Sequence, residues 1–104
     1  MNFKELSEKL GLEEDEYIEI IELFIETGMS DLEKLKSSIE SANTEKTAKI
    51  VHSIKGAALN LGLMEFFEIA QGIEKKAHDG YLEETSCIAM ELQEKMNNIA
   101  GLVR

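Results

Sequence analysis

His52 stands between two lysines, Lys49 three residues before it and Lys55 three after, and Gly56 follows at plus four. Imidazole is the side chain that changes charge near neutral pH, and its neutral form presents a nucleophilic ring nitrogen. Two ammonium groups one helical turn to either side suit the neutralisation of an anion held on that ring, a phosphoryl group for example. The other candidates for chemistry are weaker. Only His52, His78 and Cys87 offer nitrogen or sulfur ligands, and none has ligand spacing on one helical turn, so a metalloenzyme is disfavoured. With 21 acids in the chain, accidental carboxylate pairs are expected and carry no weight. No phosphate-binding loop and no glycine-rich kinase box is present, so no autonomous kinase activity is expected.

The elements that must position His52 are helical. The chain has no proline and no tryptophan, and residues favourable or tolerable in helices dominate it. Five helical segments are expected. Residues 3–10 form a short amphipathic stretch closed by Gly11. Residues 13–41 open with four acids that suit the positive end of a helix dipole. They carry an apolar ladder of Ile18, Ile21, Ile25, Gly28, Leu32, Leu35 and Ile39, widened by Ile20, Phe24 and Met29. Alternating steps of three and four mark a helix packed nearly antiparallel to its neighbours. Gly28 inside that ladder costs helix stability by about 1 kcal/mol relative to alanine, which fits either a bend or close packing. Ser41 to Thr44 supply a break with capping residues. Residues 44–61 form the third segment, stopped by Gly62, and residues 64–77 the fourth, with Phe66, Ala70, Ile73 and Ala77 on one face. The last begins near Glu83 and carries Ile88, Leu92, Met96, Ile99 and Val103. Short breaks between long helices favour an all-α, up-down-up-down four-helix bundle, with the short first helix capping one end. The 104 residues make one domain (1–104).

On the third segment, Thr47, Ile50, Val51, Ile54, Ala57, Ala58 and Leu61 define the core sector. His52 falls roughly 140–150° from its centre on a wheel of 100° per residue, and so faces water. Ala48, Lys49, Lys55, Gly56 and Leu59 share its face. A glycine inside a helix asks for a reason, and open space beside the imidazole for another protein's approach is one. Leu59, apolar on an exposed face, suits a docking contact. His78, next to Asp79 and Gly80, is expected as a cap or surface residue at a helix C-terminus. Cys87 is expected as an inert small residue, and the five methionines and Phe66-Phe67 as core.

The net charge of −10 argues against nucleic acid or an anionic membrane surface as partner, since both require a positive footprint. Residues 13–42 hold ten acids against two lysines, whereas residues 44–62 hold Lys46, Lys49 and Lys55 against Glu45 alone. No apolar run approaches the roughly 18 residues of a membrane span, and the N-terminus lacks a secretory apolar region. One cysteine cannot form an internal disulfide; a reduced, cytoplasmic setting is the simplest expectation.

The run His52-Ser53-Ile54-Lys55-Gly56-Ala57-Ala58-Leu59-Asn60-Leu61-Gly62 resembles the phosphoacceptor signature of histidine-containing phosphotransfer (HPt) domains. That signature has a hydrophobic residue at plus two, Lys-Gly at plus three and four, small residues next and a glycine near plus ten. The four-helix reading extends the resemblance along essentially the whole chain. It implies that His52, through Nε2, accepts a phosphoryl group from an aspartyl-phosphate on a receiver domain and passes it to another receiver. It implies Lys55, with Lys49, as contacts to phosphoryl oxygens, Ala48 and Gly56 as residues that allow approach, and Leu59 as a docking contact. Mg²⁺ would be supplied by the receiver, leaving this chain without a cofactor of its own. A hybrid sensor kinase would be the upstream partner, and the monomer the expected state. Two alternatives stand beside it. One is a non-catalytic helical-bundle adaptor, which gives no reason for Gly56. The other is the phosphoacceptor domain of a larger, chemotaxis-type kinase. A start at Met1 and an end just after the last helix are expected of a free-standing protein, but a domain cut from such a kinase looks the same.

Overall fold

A computed structural model describes residues 2–103. Each helix begins and ends where local chemistry dictates. Helix α1 (Phe3–Lys9) is capped by the Asn2 side chain, which accepts from the Glu5 amide at 3.0 Å. Helix α2 (Glu14–Glu40) starts after Glu13, whose amide donates to the Glu16 carboxylate. Asn43 caps α3 (Thr44–Asn60) by accepting from the Lys46 amide at 3.1 Å. Helix α4 (Met64–His78) places Lys75, Lys76 and His78 in its last turn, where cations suit the negative helix end. Helix α5 (Leu82–Val103) completes the chain. No strand occurs among the described residues.

Helix α3 packs on α2 and α4, and α5 packs on α4 and α2, so the four long helices form a ring in chain order with antiparallel neighbours. The bundle measures 41 × 22 × 17 Å. Helix α1 packs on α2; Phe3 meets the Tyr17 ring, and Leu6 approaches Gly62 at the far end of α3. The expected architecture, a four-helix bundle with a short N-terminal helix at one end, is the one observed.

Two buried polar links hold α2 to α3. The Tyr17 hydroxyl donates to the Leu61 carbonyl at 2.6 Å, and its burial pushes the phenol pKa up. At the other end the Ser38 and Thr47 hydroxyls lie 2.8 Å apart in the core. No buried side-chain nitrogen or oxygen lacks a hydrogen-bond partner among the described residues. Phe24 and Phe66 meet edge to face across the ring of helices, their centroids 5.5 Å apart.

Several expectations for the core need correction. Tyr17, absent from the expected ladder, is fully buried, while Ile18 is half-buried and Ile20 exposed. Ala57 is exposed and Ile50 half-buried, because the α3 core stripe narrows to Thr47, Val51, Ile54, Ala58 and Leu61. Of the methionines only Met96 is core: Met29 is half-buried, Met64 and Met90 are exposed, and Met1 lies outside the described residues. Phe66 is buried, Phe67 half-buried. Helix α5 begins at Leu82, slightly earlier than expected, and its Ile88 and Val103 are only half-buried.

Gly28 serves close packing. A Cβ there would lie 2.5 Å from the terminal methyl carbon of Met96, which is itself fully buried on α5. Gly28→Val should destabilise the bundle by about 2 kcal/mol, in the range for overpacked cores. Because both residues fill one space, Gly28→Val with Met96→Ala should cost less in urea denaturation than the sum of the single changes.

Candidate functional site

The face of α3 that turns away from the core carries His52, and the structure leaves 77% of its side chain exposed. The exposure follows from the register of α3: with Val51 and Ile54 buried, residue 52 must point outward. The side chain leans toward α4, where Nδ1 lies 3.9 Å from Oε2 of Glu74. That distance is too long for a hydrogen bond, but it sets the carboxylate against Nδ1.

The same carboxylate holds Lys55. Its Nζ donates to Glu74 Oε1 at 3.1 Å, and the lysine stem is covered so that only 18% of the side chain is exposed. The ammonium also sits 6.0 Å from the centre of the Phe67 ring. Glu74, itself one-third exposed, therefore bridges the imidazole and the ammonium with its two oxygens. A ring whose Nδ1 faces a carboxylate favours the tautomer with hydrogen on Nδ1, which leaves the Nε2 lone pair for nucleophilic attack. Imidazole, ammonium and carboxylate thus form one polar cluster on an otherwise open face.

The remaining sequence candidates divide. Lys49 reaches back along its own helix to Glu45 at 3.7 Å in an exposed pair, and makes no link to His52. Ala48 is half-buried and lines a groove of about 790 Å³ between α3 and α4, together with Glu74, Lys75 and His78. His78 is exposed at the end of α4, as expected for a terminal residue, and borders the same groove. Leu59 is exposed. Cys87 carries an exposed free thiol. No group of three or more histidine, cysteine, aspartate or glutamate side chains is arranged to hold a metal ion among the described residues.

Two features escaped the sequence reading. The first is Glu74. It stands as far after Leu63 as His52 stands before it, and in an antiparallel helical hairpin such positions face each other. Symmetry about the turn at Gly62-Leu63 was the signal that would have found it. The second is an apolar groove of about 290 Å³ between α2 and α3, whose walls include Ile20, Leu23, Phe24, Ser53 and Ala57. Its α3 wall begins one residue after His52. Ile20 and Ala57 read as core in a helical pattern, and only the bundle geometry turns them to the surface.

The profile of the Hpt domain family matches residues 19–101, most of the chain, and the chain belongs to that family. Histidine phosphotransfer in phosphorelays is the role that membership supports. Searches among curated proteins and solved structures find no significant match. No helix is long and apolar enough to cross a membrane among the described residues.

Gly56 has no packing role inside the bundle, since a Cβ there would meet no atom within 4 Å. Gly56→Ala should therefore raise stability by about 1 kcal/mol, the helix-propensity difference, in urea denaturation.

Proposed function

We propose that His52 is the phosphoacceptor of this chain, taking a phosphoryl group from a receiver aspartyl-phosphate and passing it to a second receiver. The observation that carries this reading is an exposed imidazole whose Nδ1 faces a carboxylate while a lysine on the same face is held within reach. In the forward step the Nε2 lone pair forms a bond to phosphorus as the acyl oxygen–phosphorus bond breaks, in line, and the receiver's aspartate leaves as a carboxylate. The ring keeps its proton on Nδ1 and so becomes cationic, with Glu74 beside the charge. Lys55 then has a second anion, the phosphoryl group, to contact. Mg²⁺ belongs to the receiver in this scheme, and a hybrid sensor kinase stands upstream. The chain works as one module, residues 1–104, as a monomer in the cytoplasm.

A receiver that brings its aspartate to Nε2 must cover much of the surrounding surface. A standard interface takes about 800 Å² from each partner, a disc of roughly 16 Å radius, which from His52 reaches the α2–α3 groove. Ile20, Leu23, Ala57 and Leu59 then supply apolar contacts, while Ala48 and Gly56 leave room for the partner's loops. The adaptor reading lacks an equivalent account of Gly56, which fills no internal need.

Transfer of labelled phosphate between this protein and a panel of receiver domains, with His52→Gln alongside, tests the reading. Exchange with one or two receivers, lost in the variant, is expected; a folded protein that exchanges with none would favour the adaptor. Gly56→Ala should slow transfer even as it stabilises the bundle, because its methyl group enters the approach path.

Leu23→Asp, on the groove and distant in sequence from His52, should weaken binding to the cognate receiver by about a few-fold, as for an apolar contact toward the edge of an interface. Calorimetric titration with the receiver checks this, and the variant should retain its thermal stability because Leu23 is 61% exposed.

A further inference from the structure

Building on the assignment of His52 as phosphoacceptor, we propose that Glu74 keeps the phosphorylated ring protonated on Nδ1 and thereby makes the phosphohistidine of this chain short-lived and quick to discharge.

The argument begins with leaving groups. When Nε2 of the neutral ring bonds to phosphorus, the proton already on Nδ1 stays and the ring becomes a cation. If the Nε2–phosphorus bond breaks from that cation, the ring departs as neutral imidazole. If the Nδ1 proton has been lost, the ring must depart as an anion, a far poorer leaving group. In hydrolysis of the protonated form, a water oxygen bonds to phosphorus as the Nε2–phosphorus bond breaks. The products are neutral His52, still protonated on Nδ1, and dihydrogen phosphate. In transfer, a receiver carboxylate oxygen takes the place of water. Both routes are governed by whether Nδ1 holds its proton.

What faces Nδ1 decides that. On α3 the charged neighbours of His52 are Lys49, which is engaged with Glu45, and Lys55. On α4 they are Glu74, 3.9 Å from Nδ1, with Glu68, Lys75 and His78 lining the same α3–α4 groove. On α2, Asp31 lines the apolar groove that Ser53 also lines, and α5 lies diagonally across the ring from α3. Glu74 is thus the acid set against the imidazole, at 3.9 Å. Lys55 fixes its orientation by occupying Oε1, which turns Oε2 to the ring. Once a phosphoryl group is on Nε2, Lys55 divides its charge between two anions, and Glu74 is left more fully to the imidazolium. A carboxylate about 4 Å from a cation at the protein surface favours the protonated form by roughly a few-fold.

The test loads His52 with phosphoramidate, a small phosphoryl donor that needs no receiver, and follows the phosphohistidine by ³¹P and ¹⁵N resonance at constant pH. Glu74→Gln should lengthen its half-life by about a few-fold and move the Nδ1 resonance toward the unprotonated position. Glu74→Asp, which restores the charge one methylene further away, should fall between the two. An unchanged or shortened half-life in Glu74→Gln, or an Nδ1 signal that stays protonated, would overturn the proposal. Freed Lys55 could also stabilise the phosphoryl group, so Lys55→Met with Glu74→Gln is compared with Lys55→Met alone. A lengthening that persists in this pair supports the proton; one that vanishes assigns the lifetime to the lysine and sinks the proposal. Failure to load His52 at all, with equal labelling of His52→Gln, would strike instead at the phosphoacceptor assignment.

Discussion

The antiparallel hairpin of α3 and α4 is the constraint on which the site depends. Gly62 adopts a left-handed backbone (φ +75°), and the Leu63 amide closes the turn on the Ala58 carbonyl at 2.9 Å. A chain that reverses there must lay α4 back along α3 in one register, with Phe66, Ala70 and Ile73 against the core. That register sets Glu74 opposite His52. A different turn would rotate α4, separate the carboxylate from both Lys55 and the imidazole, and leave two unconnected basic groups on α3.

The other faces of α3 are held just as firmly. Tyr17 and Ser38, buried at opposite ends of α2, bond to Leu61 and Thr47 at opposite ends of α3. Hydroxyls buried with partners act as locating pins, because sliding one helix along the other would strand them without a hydrogen bond. Hydrophobic packing alone tolerates small shifts; these two bonds tolerate very little. Such a mount fixes where α3 holds the exposed His52 side chain.

Gly28 and Gly56 show how one residue type answers two demands. Gly28 lets α2 approach Met96 of α5, so its missing side chain is filled by another part of the same chain. Gly56 has open space around it and weakens α3 without any internal return. Under the proposed function its explanation lies outside the molecule, in a partner that approaches His52. The apolar groove of Ile20 and Leu23 has the same character: exposed hydrophobic surface that the isolated bundle does not need, beginning one residue after His52 on α3.

Much of this was legible along the chain. The apolar ladders, the caps at Asn43 and Gly62, and the outward azimuth of His52, Lys55 and Gly56 are local consequences of a period of 3.6 residues. They were enough to determine five helices, a four-helix bundle and an exposed imidazole on the third helix. The burial of Tyr17 and the exposure of Ala57 were not legible, because a helical stripe is wide and its edges are set by how far the neighbouring helices reach. Glu74 was the largest omission. As one acid among 21, nothing in its immediate surroundings distinguishes it. Its meeting with Lys55 and His52 was decided only by the tertiary structure, since it takes the turn geometry and the mutual register of two packed helices to bring residues so far apart in sequence within 4 Å of each other.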